Sequence, residues 1–334
     1  MKNSKIVSLG HHVPEQVVTN EDMTQWMDTS DEWITERTGI KERRFIDASQ
    51  DTLASMAAKA TRMALERANL TEKDIDFIIF ATITPDYFFP GSGVLLQREL
   101  GLEGIGALDI RNACSGYIYA LSIADQYLKT GMYKTILVIG GEIQSTALDL
   151  TTRGRNVAVI FGDGAGATIL QSADEPGKGV LSTHLHADGR YAEELYIKDP
   201  GSSRPREERQ SDQILDTSSY KVHMNGNAVF KHAVVNFTSV INEALEANNV
   251  TKEDIDLLVP HQANLRISKF IQDKLGLSDD KVYNNIMRYG NTTAASIPIA
   301  LSEAWEEGRI KENDLICLAA FGSGFTWASS LIRW

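Results

Sequence analysis

The 334-residue sequence has few cysteines, few prolines and no long hydrophobic run. Its two cysteines, Cys114 and Cys317, provide no disulfide framework, which is typical of proteins from a reducing compartment. No apolar segment reaches the roughly 18 residues of a membrane-spanning helix, and no signal-peptide pattern is present. We therefore expect a soluble, cytoplasmic protein with no membrane partner.

Positive charge is also scarce, with 33 Lys and Arg against 45 Asp and Glu. The formal net charge of −12 argues against nucleic acid as a partner, because binding to phosphates requires clustered positive charge. The eight prolines do not gather with serine into a linker, so one continuous core is expected. No residues have the spacing of metal ligands, and no metal is expected.

Cys114 is the first candidate for a catalytic residue. It lies in Asp109-Ile-Arg-Asn-Ala-Cys114-Ser-Gly, where a short apolar strand ends and an amphipathic helix begins. The start of a helix carries unpaired N–H groups and a partial positive charge, which favour a thiolate. A buried structural cysteine is the alternative. Cys317 lies in the apolar run Leu315-Ile-Cys-Leu-Ala-Ala and is predicted to pack within a strand.

Two distant segments add possible partners for this thiol. His261 follows an apolar strand at 257–259, and Asn291 follows a glycine and is predicted to open a second amphipathic helix. Each alone could be structural, as a satisfied histidine or as a turn or cap asparagine. Together with Cys114 they form a nucleophile and two hydrogen-bond donors at three predicted strand–helix junctions.

An internal duplication relates the two ends of the chain. The 13 residues from Ala64 to Asp76 align without gaps with those from Ala244 to Asp256. Each copy is interpreted as a helix end, a turn that begins at threonine and a buried strand. Continuing the register places Cys114 roughly opposite Asn291, on equivalent helix starts. A chance match of one helix–strand boundary is the alternative.

Two segments do not follow the apolar periodicity. Residues 187–220 interrupt the pattern, and their middle is charged and contains Pro, Gly and Ser, which indicates a solvated loop. This insertion is either surface decoration or a functional lid. The run Gly162-Asp-Gly-Ala-Gly166 has apolar residues on both sides, so we predict a hairpin turn there and not a phosphate-binding loop.

From Ile6 to the C-terminus the chain resembles the β-ketoacyl-acyl-carrier-protein synthase III family of thiolase-like condensing enzymes. The resemblance rests on motifs in the same order: Asp28-Thr-Ser-Asp-Glu-Trp33-Ile-Thr-Glu-Arg37-Thr-Gly-Ile, Ala113-Cys114-Ser-Gly, Arg153-Gly, Phe161-Gly-Asp-Gly-Ala-Gly, Pro260-His-Gln-Ala-Asn-Leu-Arg, Tyr289-Gly-Asn-Thr and Phe321-Gly-Ser-Gly-Phe-Thr-Trp327. It implies a homodimer with an α/β, five-layered αβαβα fold built from two duplicated βαβαβ-type halves. Residues 1–175 would carry the cysteine, and residues 176–334 the histidine, the asparagine and the inserted loop near 187–220.

The resemblance also implies a decarboxylative Claisen condensation. An acyl-CoA primer would acylate Cys114, and malonyl-acyl carrier protein would then lose CO2 and attack the acyl group. His261 and Asn291 would donate to the malonyl thioester carbonyl, and the backbone N–H groups of Cys114 and Ser323 would bind the oxyanion. Family members usually carry Gly at position 323, so Ser323 is a departure that adds a side chain near the thioester. No cofactor is expected beyond the CoA and phosphopantetheine thioesters that serve as substrates.

Substrate-binding residues follow from the same resemblance. Implied contacts to coenzyme A and pantetheine come from Trp33, Arg37, Arg153, Asn227 and Asn264. The carrier protein would dock on Lys231, Arg266, Lys269 and Lys274, and Phe89 would wall the acyl pocket of the partner subunit. Each has an ordinary alternative, which is core packing for the aromatic residues and solvated surface for each lysine.

Related functions make different demands on the sequence. The insertion and Ser323 leave open a synthase III of a secondary-metabolite pathway that uses longer or β-ketoacyl thioesters. A degradative thiolase needs a second catalytic cysteine, and the strand context of Cys317 argues against it. A hydroxymethylglutaryl-CoA-synthase-like enzyme needs a glutamate near Cys114, and none matches by motif. A non-catalytic partner subunit is expected to have lost the cysteine, histidine or asparagine, and this chain keeps all three.

Overall fold

A computed structural model describes residues 2–202 and 221–334. In these residues the strands are β1 Asn3–His12, β2 Val17–Thr19, β3 Glu42–Arg44, β4 Phe77–Ala81, β5 Gly106–Ile110, β6 Thr135–Glu142, β7 Gly164–Ala173, β8 Gly179–Ala187, β9 Leu195–Tyr196, β10 His223–Met224, β11 Leu257–Pro260, β12 Leu315–Gly322 and β13 Thr326–Arg333. The α-helices are α1 Asn20–Met23, α2 Asp31–Thr38, α3 Leu53–Ala68, α4 Ser92–Glu99, α5 Gly116–Lys129, α6 Arg155–Ala158, α7 Gly226–Ala247, α8 Leu265–Leu275, α9 Ile286–Tyr289 and α10 Ser296–Glu306.

Two larger sheets organise these elements. The first has the order β1-β7-β6-β4-β5, with β4 parallel to both of its neighbours and β7 antiparallel to β1 and β6. The second has the order β11-β12-β13-β8, with only the β11–β12 pair parallel. Strands β4, β6, β11 and β12 are buried along their whole length, because helices cover both faces of each sheet.

The helices form three layers around these sheets. Helices α5 and α10 lie between the sheets and supply much of the central apolar core. Helices α3 and α4 cover the outer face of the first sheet, and α7 and α8 cover the outer face of the second. The predicted five-layered αβαβα fold is therefore confirmed. No helix in the part of the chain described here is long and apolar enough to cross a membrane.

The duplication is visible in the structure, with one correction to its register. Spacings of 180 residues separate Phe77 of β4 from Leu257 of β11, and the 3-10 turn Ala113–Ser115 from the 3-10 turn Thr293–Ala295. The first residue of each turn has a positive φ, 46° and 50°. Ala294, and not Asn291, therefore lies opposite Cys114. The predicted register was wrong by three residues. Helix α5 has 14 residues and α10 has 11, so the starts of the two helices are 180 residues apart but their ends only 177.

One other segment differs from expectation, and a second is described only in its first part. The glycine run at 162–166 is not a hairpin turn but leads into β7, which is buried between β1 and β6. Glycine is needed there because a Cβ on Gly166 would lie 2.6 Å from the Cβ of Pro298 in α10. The insertion begins with a 3-10 helix at Gly189–Glu194 and strand β9. Its residues 203–220 lie outside the described part of the chain.

The layered core predicts a clear contrast between two valines. Val138 is fully buried in β6, whereas Val235 on α7 is 63% exposed. Val138→Ala should lower the free energy of unfolding by about 2 kcal/mol, because it removes buried methyl groups and leaves a cavity. The matched control Val235→Ala should change it by less than about 0.5 kcal/mol. Urea unfolding followed by circular dichroism measures both, and equal losses would contradict the assigned burial.

Candidate active site

The candidate nucleophile lies between the two sheets. Cys114 is the middle residue of the 3-10 turn Ala113–Ser115, which links β5 to α5, and its side chain is buried. The preceding Ala113 has φ of 46°, a strained conformation for a residue with a Cβ, and such strain is common at functional sites. Burial, with a smaller effect from the charge of Glu142, raises the pKa of the Cys114 thiol to about 12. The expected lowering by the helix start is therefore outweighed by desolvation in the free protein.

The turn between β12 and β13 approaches this cysteine closely. A Cβ added to Gly322 would lie 2.8 Å from the Cβ and 2.9 Å from the backbone nitrogen of Cys114, so only glycine fits. Ser323 follows directly and lines a cavity together with Cys114. Its carbonyl accepts a hydrogen bond from the Thr326 hydroxyl at 3.0 Å, and that hydroxyl lies 2.8 Å from the Ser115 hydroxyl. Hydrogen-bonded hydroxyl groups thus connect the two segments predicted to supply the oxyanion N–H groups.

His261 follows β11 and is held by the start of the central helix α10. Its Nδ1 atom lies 2.6 Å from the Ser296 hydroxyl, and its buried Nε2 atom has no partner among the described residues. Burial lowers the pKa of His261 to about 3, so the imidazole is neutral near pH 7. The Ser296 hydroxyl also accepts the N–H of Gln262 at 3.4 Å and keeps its own proton available for Nδ1; in the tautomer in which Nδ1 accepts that proton, Nε2 carries the imidazole proton.

Asn291 is fixed by three hydrogen bonds. Its backbone N–H donates to the Ile160 carbonyl at 2.8 Å, and its carbonyl accepts the N–H of Gly162 at 3.1 Å. Its side-chain Oδ1 accepts the N–H of Thr293 at 2.8 Å. This arrangement leaves the Nδ2 amide group as the donor for a ligand. Asn291 lies just before the 3-10 turn Thr293–Ala295, not at a helix start as predicted.

Two cavities meet at Cys114. A cavity of about 470 Å³ brings Cys114, His261 and Asn291 together, and other residues that line it are Trp33, Arg37, Asn227, Phe230, Asn264 and Arg266. A second cavity of about 890 Å³ is lined mainly by apolar groups, among them Ala54, Ile83, Tyr87, Phe88, Leu95, Ile143 and Ala147. Cys114, Phe161 and Leu195 belong to both. A thioester in the smaller cavity therefore has space for an acyl chain on the far side of the sulfur.

The predicted coenzyme A residues are brought together only in part. The guanidinium carbon of Arg37 lies 4.5 Å from the centre of the Trp33 ring, and that of Arg155 lies 4.9 Å from it. Arg153 instead forms an ion pair with Asp149 at 2.8 Å and lines a separate cavity. Arg155, which the motif comparison did not single out, is thus the second arginine at this ring. In the sequence, the signal for Arg155 was its position two residues after Arg153.

The remaining predicted residues lie at the surface or at the mouth of the smaller cavity. Asn227 is exposed there, whereas Asn264 caps α8 by accepting the N–H of Arg266 at 2.9 Å and donates to the Arg37 carbonyl at 2.9 Å. The four predicted docking cations are exposed on α7 and α8: Lys231, Arg266, Lys269 and Lys274. Phe89 is 80% exposed and does not line the cavities of its own chain described above.

Glu142, at the end of β6, is a buried residue that the motifs did not indicate. Its carboxylate accepts hydrogen bonds from the Thr84 hydroxyl at 2.6 Å and from the backbone N–H groups of Ile83 and Thr84 at 3.2 and 3.1 Å. Burial raises its pKa to about 7. An acidic residue directly after an apolar strand was the signal for it. Glu142 holds the 82–84 loop in place, and its charge disfavours a free thiolate at Cys114.

Fold and site together define a thiolase-like condensing enzyme. Cys317 is fully buried in β12, so the prediction that it packs in a strand is confirmed. Cys114 is thus the one cysteine that lines a cavity described here, and it shares that cavity with a neutral histidine and an asparagine amide. This set matches a condensing enzyme with a single nucleophile and does not match a thiolase with two catalytic cysteines.

Comparisons with known proteins agree with the assignment to the thiolase-like condensing enzymes. The family profiles of 3-oxoacyl-[acyl-carrier-protein] synthase III match residues 108–189, and those of its C-terminal part match residues 245–334. Beta-ketoacyl-[acyl-carrier-protein] synthase III of Caldanaerobacter subterraneus is 47% identical over 329 residues, covering 98% of this chain and 97% of that protein. The protein of that name from Escherichia coli O9:H4 is 44% identical over 330 residues, covering 99% of each. The crystal structure of 3-oxoacyl-[acyl-carrier-protein] synthase III from Aquifex aeolicus superposes with a TM-score of 0.90 at 42% identity, covering 99% and 100% of the two chains.

The chain therefore belongs to the β-ketoacyl-[acyl-carrier-protein] synthase III family, and the resemblance drawn from its motifs is confirmed. It is an acyltransferase of the condensing type, and the fatty-acid-synthesis interpretation is favoured over a secondary-metabolite pathway.

Replacing Glu142 with Gln should make Cys114 easier to ionise. At pH 8 the carboxyl group, with its pKa of about 7, is mostly charged and disfavours a thiolate at Cys114. Removing the charge should lower the thiol pKa and raise the rate of alkylation by iodoacetamide at pH 8 several-fold. At pH 6, where the wild-type carboxyl is mostly protonated, the two rates should converge.

The rates are best measured by intact-protein mass spectrometry in a Cys317→Ala background. Glu312→Gln, which removes a carboxylate that is 78% exposed, is the matched control and should leave the profile unchanged. A Glu142→Gln profile identical to that of the parent would show that this charge does not act on Cys114.

Proposed function

We propose that the protein condenses an acyl-CoA primer with malonyl-acyl carrier protein through an acyl-Cys114 intermediate and releases a β-ketoacyl thioester. The observation that carries this proposal is the shared cavity of Cys114, His261 and Asn291, with Trp33 and two arginines beside its mouth. A planar ring flanked by guanidinium groups suits an adenine base and its phosphates. The cavity then leads a pantetheine arm to the thiol.

In the first half-reaction the Cys114 sulfur attacks the carbonyl carbon of the primer. The new S–C bond forms first and gives a tetrahedral oxyanion, whose collapse breaks the bond to the CoA sulfur, and the thiol proton ends on the released CoA. Because the thiol pKa is about 12, a free thiolate is scarce, and proton loss accompanies attack. The N–H groups of Cys114 and Ser323 stabilise the oxyanion, and the acyl chain occupies the larger apolar cavity.

In the second half-reaction a malonyl thioester enters the cavity that CoA has left. Loss of CO2 leaves an enolate, whose oxygen accepts hydrogen bonds from Nε2–H of His261 and Nδ2–H of Asn291. The enolate carbon then attacks the acyl carbonyl, and Cys114 leaves as a thiolate that is reprotonated. A neutral imidazole suits this task, since it can donate a proton in a hydrogen bond without having to gain a charge first. These side chains and backbone groups supply the chemistry with no cofactor.

The surface supports a carrier protein and a second subunit as partners. Despite the net charge of −12, α7 and α8 carry four exposed cations, of which Arg266 lines the smaller cavity, and this positive charge suits an acidic partner. Strand β5 is the edge of its sheet, and the exposed aromatic side chains of Tyr87, Phe88 and Phe89 follow β4 beside it. An unpaired edge with exposed aromatic groups favours a homodimer in which Phe89 contacts the partner's acyl cavity. We expect the dimer to act in the cytoplasm.

The two cysteines give the first test of this function. Cys114→Ala should abolish the mass increase produced by acyl-CoA, whereas Cys317→Ala should keep it, because only Cys114 lines a cavity. Intact-protein mass spectrometry after incubation with acetyl-CoA and longer homologues measures the acyl-enzyme. Acylation of the Cys114→Ala protein, or its loss in a folded Cys317→Ala protein, would reject Cys114 as the nucleophile.

The donors His261 and Asn291 give the second test. His261→Ala and Asn291→Ala should still accept an acyl group, but decarboxylation of malonyl thioester should fall by roughly 100-fold or more. Because the imidazole pKa is near 3, wild-type decarboxylation should show no loss from histidine titration between pH 5 and 8. Labelled CO2 release reports the step, with the exposed His223→Ala as the control. Wild-type decarboxylation in both variants would disprove the assigned roles.

A further inference from the structure

Ser323 carries a hydroxyl group that the reaction described above does not use. This hydroxyl donates a hydrogen bond to the backbone carbonyl of Leu195 in β9. The hydroxyl is therefore directed at the backbone of the first part of the 187–220 insertion. The backbone of the same residue remains beside Cys114, since Gly322 contacts that cysteine.

Leu195 lies where the acyl chain has to pass. It is one of the few residues that line both the cavity of His261 and Asn291 and the larger apolar cavity, and Cys114 is another. Strand β9 has two residues, and its one pairing within residues 2–202 and 221–334 is with the equally short β10. Such a short ladder provides little stability by itself, so the hydrogen bond from Ser323 contributes to the position of Leu195.

The start of the insertion is fixed to the same turn. Asp188 and Phe325 exchange two backbone hydrogen bonds of 2.8 Å, and the Tyr191 ring stacks on Phe325 with centroids 5.4 Å apart. These contacts hold residues 188–191, whereas the Ser323 hydroxyl holds Leu195 at the junction of the cavities. One residue thus joins the turn of the proposed oxyanion site to the wall of the acyl passage.

We propose that Ser323 is a positioning residue that sets acyl-chain selectivity by holding Leu195 at the junction of the two cavities. This inference rests on the proposed function, since it concerns how the acyl group reaches the larger cavity from Cys114. Losing the hydroxyl frees the Leu195 carbonyl and lets the wall move. The passage then discriminates less between short and long acyl chains.

Ser323→Ala tests this directly, because it keeps the backbone N–H and removes the hydroxyl alone. The rates of Cys114 acylation by acetyl-, hexanoyl- and decanoyl-CoA, measured in single turnover by intact-protein mass spectrometry, give selectivity ratios that do not depend on the folded fraction. The hexanoyl-to-acetyl ratio should change by about fivefold or more, comparable with one to two methylene groups in an apolar site. Ser329→Ala, which removes another serine hydroxyl bound to a backbone carbonyl at 2.8 Å, is the matched control and should keep the wild-type ratio.

Hydrogen–deuterium exchange supplies a readout without substrate. Amides in a peptide covering residues 189–198 should exchange faster in Ser323→Ala than in wild type, and Ser323→Thr, which keeps the hydroxyl, should restore slow exchange. An unchanged selectivity ratio, or unchanged exchange in Ser323→Ala, would overturn this inference while leaving the proposed function intact. Failure of the wild-type protein to form any acyl-enzyme would overturn the proposed function, and this inference with it.

Discussion

The close approach of the β12–β13 turn to the start of helix α5 is the constraint on which the active site depends. The turn belongs to the second sheet and Cys114 follows the first, so this contact joins the two duplicated halves. It is possible only because Gly322 has no Cβ and because the central helices keep the sheets at a fixed spacing. The positive φ angles of Ala113 and Thr293 are maintained by the same packing. Core stability and catalytic geometry are therefore not separable here.

Burial decides the electrostatics of the site. The thiol of Cys114 and the imidazole of His261 are both neutral in the free protein, because desolvation dominates the pKa of each. In a site of low dielectric, two neutral groups form strong hydrogen bonds once charge develops in the transition state. Because they do not form an ion pair with each other in the free protein, the substrate has no ion pair to break. The Glu142 carboxylate raises the pKa of the Cys114 thiol further, since its negative charge disfavours a second negative charge on the sulfur. A resting enzyme with little thiolate is also less exposed to oxidation and alkylation.

The sequence predicted the parts of the fold that local patterns determine. Strand β4 has the bounds of its apolar run, and the motif residues Cys114, His261 and Asn291 do share one cavity. The thiol pKa was predicted in the wrong direction, because the helix-start argument considers only the local backbone and omits desolvation by distant segments. The duplication register was off by three residues, because helix length was not visible in the pattern.

Residues that act through tertiary contacts were the hardest to predict. Ser296 holds His261 from 35 residues away, Glu142 holds a loop 58 to 60 residues earlier, and Arg155 reaches Trp33 across the chain. None of these pairs is marked by periodicity or by spacing, since each depends on how layers of the fold stack. Their residue types gave only weak signals, such as an acidic residue after an apolar strand.

The position of Cys114 at the meeting point of two cavities has a consequence for the order of events. In the proposed reaction the acyl chain occupies the larger cavity and the pantetheine arm the smaller one, so the chain would stay in place when CoA departs. In this reaction the second thioester would enter the same cavity of about 470 Å³ after the first carrier has left it. A single cavity shared by the two thioesters is thus consistent with ping-pong kinetics. An excess of either thioester should then inhibit the reaction, because it occupies the cavity at the step at which the other has to bind.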